Sequence, residues 1–390
     1  MSKSWSQRSQ LIESFKVMDL LKHAHELADQ GRSIIHLGAG EPDFGAAPQV
    51  IEEAKLLLDT TPMSYTPAAG ISALREKITT FHQQRYGQPI EPDNVLVTAG
   101  ASAALQLTFA LLANRDQKIL MADPGYPCNR QFLRVVEAQA VSIPVDHEQS
   151  YQLTAELVEQ YWDEQTAGVL IASPANPTGA VIDPDELANI AETVSRLGGT
   201  LVVDEIYHGL TYGVETPSAF SIDTNCIVIN SFSKYFGMTG WRLGWLVADA
   251  SAVSEMEKMA QNLYISPTTL SQYAALRAFE PDAIELFELR KTELQQRRDR
   301  LLEGLKRIGF KVPRTPAGAF YIYADASDLC DDSFIWCWEL LERVGVVATP
   351  GADFGEYHAH KFVRFAYTTS LANIDEALVR IARFVNETRC

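Results

Sequence analysis

Between residues 95 and 247, short runs of branched apolar residues recur at intervals long enough to hold a helix. The runs are 95–98, 118–121, 140–143, 168–172, 200–203 and 226–229, and each is followed closely by a turn containing glycine or polar side chains. Strand-length apolar runs alternating with helical stretches imply parallel strands joined by crossover helices, and hence an α/β fold. In such sheets ligands lie beyond the carboxyl ends of the strands. The turn that follows each run is therefore where chemistry is expected.

The turns carry different residues. After the first comes A-G-A-S-A-A-L, residues 99–105, where Ser102 can cap the helix it opens. The free N–H groups and dipole of a helix start suit a phosphate, and an ordinary capped helix explains the phrase equally well. A-D-P-G-Y-P follows the second run and presents Tyr126 on what is otherwise a rigid turn. S-P-A-N-P-T-G, residues 173–179, holds Asn176 between two prolines that nearly fix its backbone. V-V-D-E-I-Y ends the fifth run on Asp204, with Tyr207 three residues later. A carboxylate there is costly to bury unless it meets a cation. A structural aspartate at a helix start is the other reading.

The sixth run leads into N-S-F-S-K-Y-F-G-M-T-G-W-R-L-G, residues 230–244. Lys234 follows Ser231 and Ser233 and precedes Arg242, in a short polar loop between two apolar runs. Screening from water lowers an amine's pKa and makes it nucleophilic. Such an amine forms Schiff bases with carbonyl compounds, and hydroxyls plus a planar guanidinium beside it suit a phosphate-bearing aldehyde. Those features describe a site for pyridoxal 5'-phosphate. Taken alone, the same pair of residues reads as a solvated loop lysine and a surface arginine.

The spacing S-x-S-K-x-x-G-x-x-G-x-R-x-G, with the strand-end phrases before it, resembles the fold-type I, class I/II aminotransferases over essentially the whole chain. The resemblance implies a large domain built on a mostly parallel seven-stranded sheet, and a smaller α+β domain made from both termini. It implies amino-group transfer between an L-amino acid and a 2-oxo acid, by a ping-pong Schiff-base mechanism on Lys234. Carried onto this sequence, it implies that Gly100, Ala101, Ser102, Ser231, Ser233 and Arg242 hold the cofactor phosphate and that Tyr126 stacks on its ring. Asn176 and Tyr207 would reach its phenolic oxygen, and Asp204 its ring nitrogen, which keeps the ring an electron sink. Arg364, Asn176 and Gly40 would bind the substrate α-carboxylate. Tyr65, in the phrase S-Y-T-P-A-A-G, would cross to the other subunit of a homodimer; without the family it is an ordinary half-exposed tyrosine.

Outside the sheet, residues 9–30 show a helical rhythm, a short strand at 34–37 runs into the turn G-A-G-E-P-D-F, and helices are expected over 48–58 and 71–86. Helices follow at 254–264 and 271–279, then a long charged one at about 282–308. A second unit begins near Phe310, with an exposed-face strand in P-A-G-A-F-Y-I-Y-A-D, a helix at 333–344, a turn at 346–355, a strand at 362–367 and a final helix at 374–385. Arg364 interrupts that last strand, where a structural salt bridge is the default reading. The expected domains are 1–45 with 290–390, around a cofactor-binding unit at 46–289.

The net charge of −17, from 50 acidic against 33 basic residues, opposes binding to nucleic acid or an anionic membrane. The first thirty residues hold no apolar stretch of signal-peptide length, and no run reaches the roughly 20 residues of a membrane helix. The five cysteines, Cys128, Cys226, Cys330, Cys337 and Cys390, have no metal spacing and read as reduced thiols in a cytoplasmic protein. No metal is expected. Phe15 and Tyr264 near the expected entrance leave aromatic or aliphatic substrates open, and no arginine precedes Tyr264 to serve the dicarboxylate clamp of one aspartate-specific subgroup. Two alternatives share the motifs: a C–S β-lyase on the same fold, and a non-catalytic cofactor-binding sensor.

Overall fold

The computed structural model describes residues 5–388. Its elements run in the order α1 (Gln7–Leu11), α2 (Lys16–Asp29), β1 (Ile35–His36), α3 (Pro48–Thr60), α4 (Ser72–Tyr86), β2 (Val95–Thr98), α5 (Ala101–Leu112), β3 (Lys118–Asp123), α6 (Pro127–Val135), β4 (Gln139–Pro144), α7 (Ala155–Tyr161), β5 (Thr166–Ala172), α8 (Pro184–Arg196), β6 (Thr200–Asp204), α9 (Ala219–Ile222), β7 (Ile227–Ser231) and β8 (Gly244–Val247). Then come α10 (Ala250–Leu263), α11 (Thr269–Ala275), α12 (Pro281–Ile308), β9 (Tyr321–Asp325), α13 (Ser333–Val344), β10 (Val346–Val347), β11 (Thr349–Pro350), β12 (Phe362–Ala366) and α14 (Leu371–Thr388).

β2 to β8 form one seven-stranded sheet in the order β2-β8-β7-β6-β5-β3-β4. Only β8 is antiparallel to its neighbours β2 and β7. The unbroken apolar runs follow from burial on both faces. Val95 and Val97 enter one core cluster while Leu96 enters the other, and Val169 and Ile171 are likewise separated from Leu170. With a side-chain period of two, a strand covered by helices on both sides must be apolar at every position. Each such side chain taken fully out of water contributes about 1.5–3 kcal/mol.

A second, antiparallel sheet in the order β11-β12-β9 and a parallel pair β1-β10 lie apart from the large sheet. β1 comes from the N-terminal part of the chain and β10 from the C-terminal part, so the two ends are stitched together at Ile35 with Val346 and His36 with Val347. The long helix α12 spans 28 residues, about 42 Å at 1.5 Å per residue, and packs on α14.

Three expectations need correction. The rhythm over 9–30 belongs to two helices: the chain leaves α1 at Ile12 in extended geometry and α2 starts only at Lys16. β9 is buried at Tyr321, Ile322, Tyr323 and Ala324, so it has no exposed face; it pairs with β12 and packs against α12. The stretch 346–355 is more than a turn, since it contains β10, β11 and a short helical turn at Gly351–Asp353. Cys128, Cys226, Cys330 and Cys337 are free thiols, and Cys390 lies outside the described residues. Among the described residues no helix is long and apolar enough to cross a membrane.

Candidate active site

The carboxyl ends of β5, β6 and β7 open into a cavity of about 310 Å³, closed from the opposite side by α2 and by residues 349–354. Lys234 reaches it from the connection between β7 and β8. That connection is not the polar loop its serines suggest. Phe232, Tyr235, Phe236 and Met238 are almost wholly buried, with Phe236 edge-on to Trp245, Phe279 and Phe287. The packed rings fix the backbone from which Lys234 projects, and its Nζ donates to the Gly40 carbonyl at 2.7 Å. Burial pulls the amine down to about 8, with Glu41 opposing and the charges of Arg364 and Arg242 adding to the fall.

Asp204 ends β6 inside the cavity, 5% exposed, and accepts the Ile206 N–H at 3.1 Å. No cation pairs with it among the described residues, and burial pushes its pKa up to about 6. Its neighbour Glu205 points the other way and is fully used: it accepts from Ser218 Oγ at 3.0 Å and the Ala219 N–H at 2.6 Å. One carboxylate of the pair thus braces α9, and the other is held facing the cavity without a counter-ion. The Tyr207 and Tyr321 hydroxyls share a hydrogen bond of 2.9 Å, and burial raises both phenols, keeping them protonated.

Arg364, on β12, is not salt-bridged. Its Nη1 donates to Asn176 Oδ1 at 2.9 Å, and its Nη2 to the Gly38 carbonyl at 2.8 Å and Thr349 Oγ1 at 3.2 Å. The guanidinium lies between the rings of Tyr321 and Phe354, 4.3 and 4.7 Å from their centroids. It is 5% exposed, its Nε is buried without a partner, and no carboxylate is within 4 Å among the described residues. A buried, uncompensated guanidinium of this kind is costly unless an anion joins it.

At the other end of the cavity, Ser231 Oγ and Ser233 Oγ are 2.9 Å apart, and Arg242, in left-handed geometry with φ 51°, donates to the Thr239 carbonyl. Gly100 also has positive φ, and a Cβ there would come within 2.6 Å of Arg242 Nη2. The glycine allows the guanidinium to lie against the start of α5. Here the expected cap fails: Gly100 is the residue before the helix, and Ser102 sits inside the first turn without capping it. Ala101, Ser102 and Tyr126 line the cavity with the rest.

The cavity therefore collects Gly40, Ala101, Ser102, Tyr126, Asn176, Asp204, Tyr207, Ser231, Ser233, Lys234, Arg242 and Arg364. Tyr65 is absent from it and is 80% exposed; Tyr264 is also absent, with its hydroxyl buried and unpartnered. Sequence reasoning missed Gly38, Thr349, Tyr321, Asp353, Phe354 and the α2 residues beyond Phe15. Most offer no local signal. Asp353 does: an acid inside an otherwise apolar and small-residue phrase, the pattern that singled out Asp204.

The sequence model described as "Aminotransferase class I and II" matches residues 32–381. The chain is 38% identical to a valine–pyruvate aminotransferase of Mycobacterium tuberculosis, over 96% of its own length and 97% of that protein's. It is 33% identical to an aspartate aminotransferase of Pyrococcus horikoshii, covering 97% and 96% of the two chains. A crystal structure of an aminotransferase from Mycobacterium tuberculosis superposes with a TM-score of 0.96 at 37% identity, covering 99% of this chain and 100% of that one. The aspartate aminotransferase of Thermus thermophilus with maleate gives 0.92 at 31% identity, over 98% and 100%.

Proposed function

The chain belongs to the class I and II aminotransferases, pyridoxal phosphate-dependent enzymes of amino-group transfer, and from that premise we propose the following division of labour in its cavity. The residues present fit the cofactor. Asp204 is a buried carboxylate lacking a cation, which a protonated ring nitrogen would supply. The close approach of Arg242 to Gly100, at an α5 start whose first N–H groups have no helical acceptor, suits a phosphate. Bound there, pyridoxal phosphate supplies an aldehyde that captures amines and a ring that accepts the electron pair left when Cα loses its proton.

The chain's own groups do the rest. Lys234 Nζ would hold the cofactor through its aldehyde carbon and, once freed by the substrate's amine, would serve as the base at substrate Cα and deliver the proton to that former aldehyde carbon, two bonds from Cα across the nitrogen. Gly100, Ala101, Ser102, Ser231, Ser233 and Arg242 hold the phosphate, with Tyr65 of a second copy added in a homodimer; its 80% exposure and distance from its own cavity support that reading. Tyr126 stacks on the ring and sets its tilt. Tyr207 donates its hydroxyl proton to the phenolic oxygen, and Asn176 offers its amide nitrogen to the same atom while its carbonyl orients Arg364. Arg364, Asn176 and the Gly40 backbone would fix the α-carboxylate and so orient the Cα–H bond for proton removal. Hydrolysis would release the 2-oxo acid with its amino group left behind, and a second 2-oxo acid would take up that group by the reverse sequence, releasing water.

The reading extends to a cytoplasmic enzyme with domains at 1–45 with 290–390 and at 46–289, supported by free thiols and by separate sheets on the two sides of the cavity. The observation that carries the site assignment is the convergence of a depressed amine, an unpaired buried carboxylate and an unpaired buried guanidinium on one cavity. An absorbance titration tests it. The purified protein with cofactor should show a visible band that a single amino acid converts to a near-ultraviolet one and a 2-oxo acid restores. A variant Lys234→Ala that binds cofactor yet still cycles between the bands would refute the role given to Lys234. Pyruvate and ammonia appearing without any oxo acid would point to β-elimination instead.

A further inference from the structure

The substrate's side chain must leave Arg364 toward the part of the cavity walled by Phe15, Val17, Met18, Leu21, Leu105 and Phe354. Four of these six come from the first turns of α2 and the residue before it. That helix has no cap of its own: Phe15 precedes it and offers no hydrogen-bonding side chain. The cap comes from the other end of the chain. Asp353 Oδ1 accepts the Lys16 N–H and Oδ2 the Val17 N–H, each at 2.9 Å. Asp353 is 6% exposed and itself lines the cavity. Its loop is docked in turn, because the Glu356 N–H donates to Asp123 Oδ2 and the Gly125 N–H to the Phe354 carbonyl, both at 2.9 Å.

The charges in the cavity are Lys234, Arg242 and Arg364 against Asp204 and Asp353. Under the assignments above, all three cations are taken by the cofactor and the α-carboxylate. Burial raises the Asp353 pKa, while the Val17 and Lys16 N–H groups and then Arg364 favour its charge, with no ion pair to Arg364; a bound α-carboxylate would neutralise the part due to Arg364 and leave the two N–H groups holding the carboxylate. No cation lining this cavity is then left to receive a second carboxylate, and a buried carboxylate faces it at the side-chain end.

We infer that this site takes amino acids with uncharged, apolar side chains, and that Asp353 is its specificity-determining residue, fastening α2 as an apolar wall and turning away dicarboxylates. The inference rests on Arg364 as the α-carboxylate site. Unreactive acids separate the two claims: 4-methylpentanoate, 3-phenylpropanoate, succinate and glutarate, titrated calorimetrically against the holoenzyme. Glutarate is the stringent probe, because it is the longer dicarboxylate and the adjoining cavity of about 1120 Å³ is lined by Lys16, Arg130 and Arg134.

The two monocarboxylates should bind at least about tenfold more tightly than either dicarboxylate, and Asp353→Asn should narrow that ratio by about tenfold. Asp353→Ala, which also frees the start of α2, should weaken 4-methylpentanoate several-fold. Equal binding of succinate or glutarate by the unaltered enzyme, or a ratio unmoved by Asp353→Asn, overturns the inference and leaves the Arg364 assignment standing. No binding of any acid, or equal binding by an Arg364→Ala variant, removes the Arg364 assignment and this inference with it.

Discussion

The two walls of the cavity are built in opposite ways. The wall proposed to carry the cofactor hangs from strand ends of a single sheet: Asp204 closes β6, Ser231 closes β7, and Lys234 stands on a connection packed with aromatic rings. The backbone under each group is set by its own strand end and the packing behind it, and the Lys234 amine alone of the three also reaches a distant partner, the Gly40 carbonyl. The wall over the substrate is assembled from remote pieces. Arg364 is aimed by Asn176, 188 residues away, and by Gly38, 326 away, while α2 borrows its cap from Asp353. Rigid local scaffolding suits a cofactor that never changes. A wall held by a few long-range hydrogen bonds can be altered without disturbing the chemistry beneath it.

Substitutions should separate the walls. Lys234→Ala should cost the most, about 10⁴-fold or more in kcat, with cofactor affinity measured separately by equilibrium dialysis to show that the wall itself survives. Arg364→Ala should lower kcat/KM by about 10²–10³-fold, the scale for losing one partner of a buried charged pair, and leave the absorbance of the resting enzyme unchanged. If it bleached the resting enzyme instead, the two walls would not be independent.

A pH series addresses the first wall alone. Lys234 is depressed to about 8 and only the free amine is a nucleophile, so cofactor capture by the apoprotein should rise about tenfold per pH unit below that value and level off above it. A rise continuing to pH 10 would mean that burial does not tune the amine. The smallest effect is expected at Gly355, where an added Cβ would fall on Asp123 Oδ1. Gly355→Ala should displace the loop carrying Phe354, raise KM a few-fold through the substrate wall, and lower stability by about 1–3 kcal/mol in thermal unfolding. Cofactor affinity should not move.

The same contrast explains what could be seen from the sequence. Strand-end residues can be located, because the strand directions tell where Asp204 and Asn176 lie, although Asp204 taken alone also reads as a structural aspartate at a helix start. Six strands of the core were legible in runs whose continuity reflects two buried faces, while the seventh, β8, was implied only by the family resemblance. Thr349, Phe354 and Val17 carry no such mark. Their place in the cavity depends on how the chain's two ends meet at β1 and β10, a pairing of two short strands 311 residues apart that no periodicity signals. The break between α1 and α2 was hidden for a related reason: the apolar rhythm runs through it, and the cap that restarts the helix lies far along the chain. The aromatic packing around Lys234 was misread because serines and glycines drew attention from Phe232 and Phe236 beside them.

The bond between Asp353 and the start of α2 also sets an order of events during synthesis. Its two partners are separated by 337 residues, so at about 5–20 residues per second the ribosome adds the acid roughly 17–67 s after the segment it secures. Late in that interval, once residue 247 has been added, the large sheet can close and the lysine can take up its position, while Phe15, Val17 and Met18 wait on the growing chain without the Asp353 anchor. A nascent polypeptide stalled before residue 353 would thus be expected to capture the coenzyme before it can choose among amino acids.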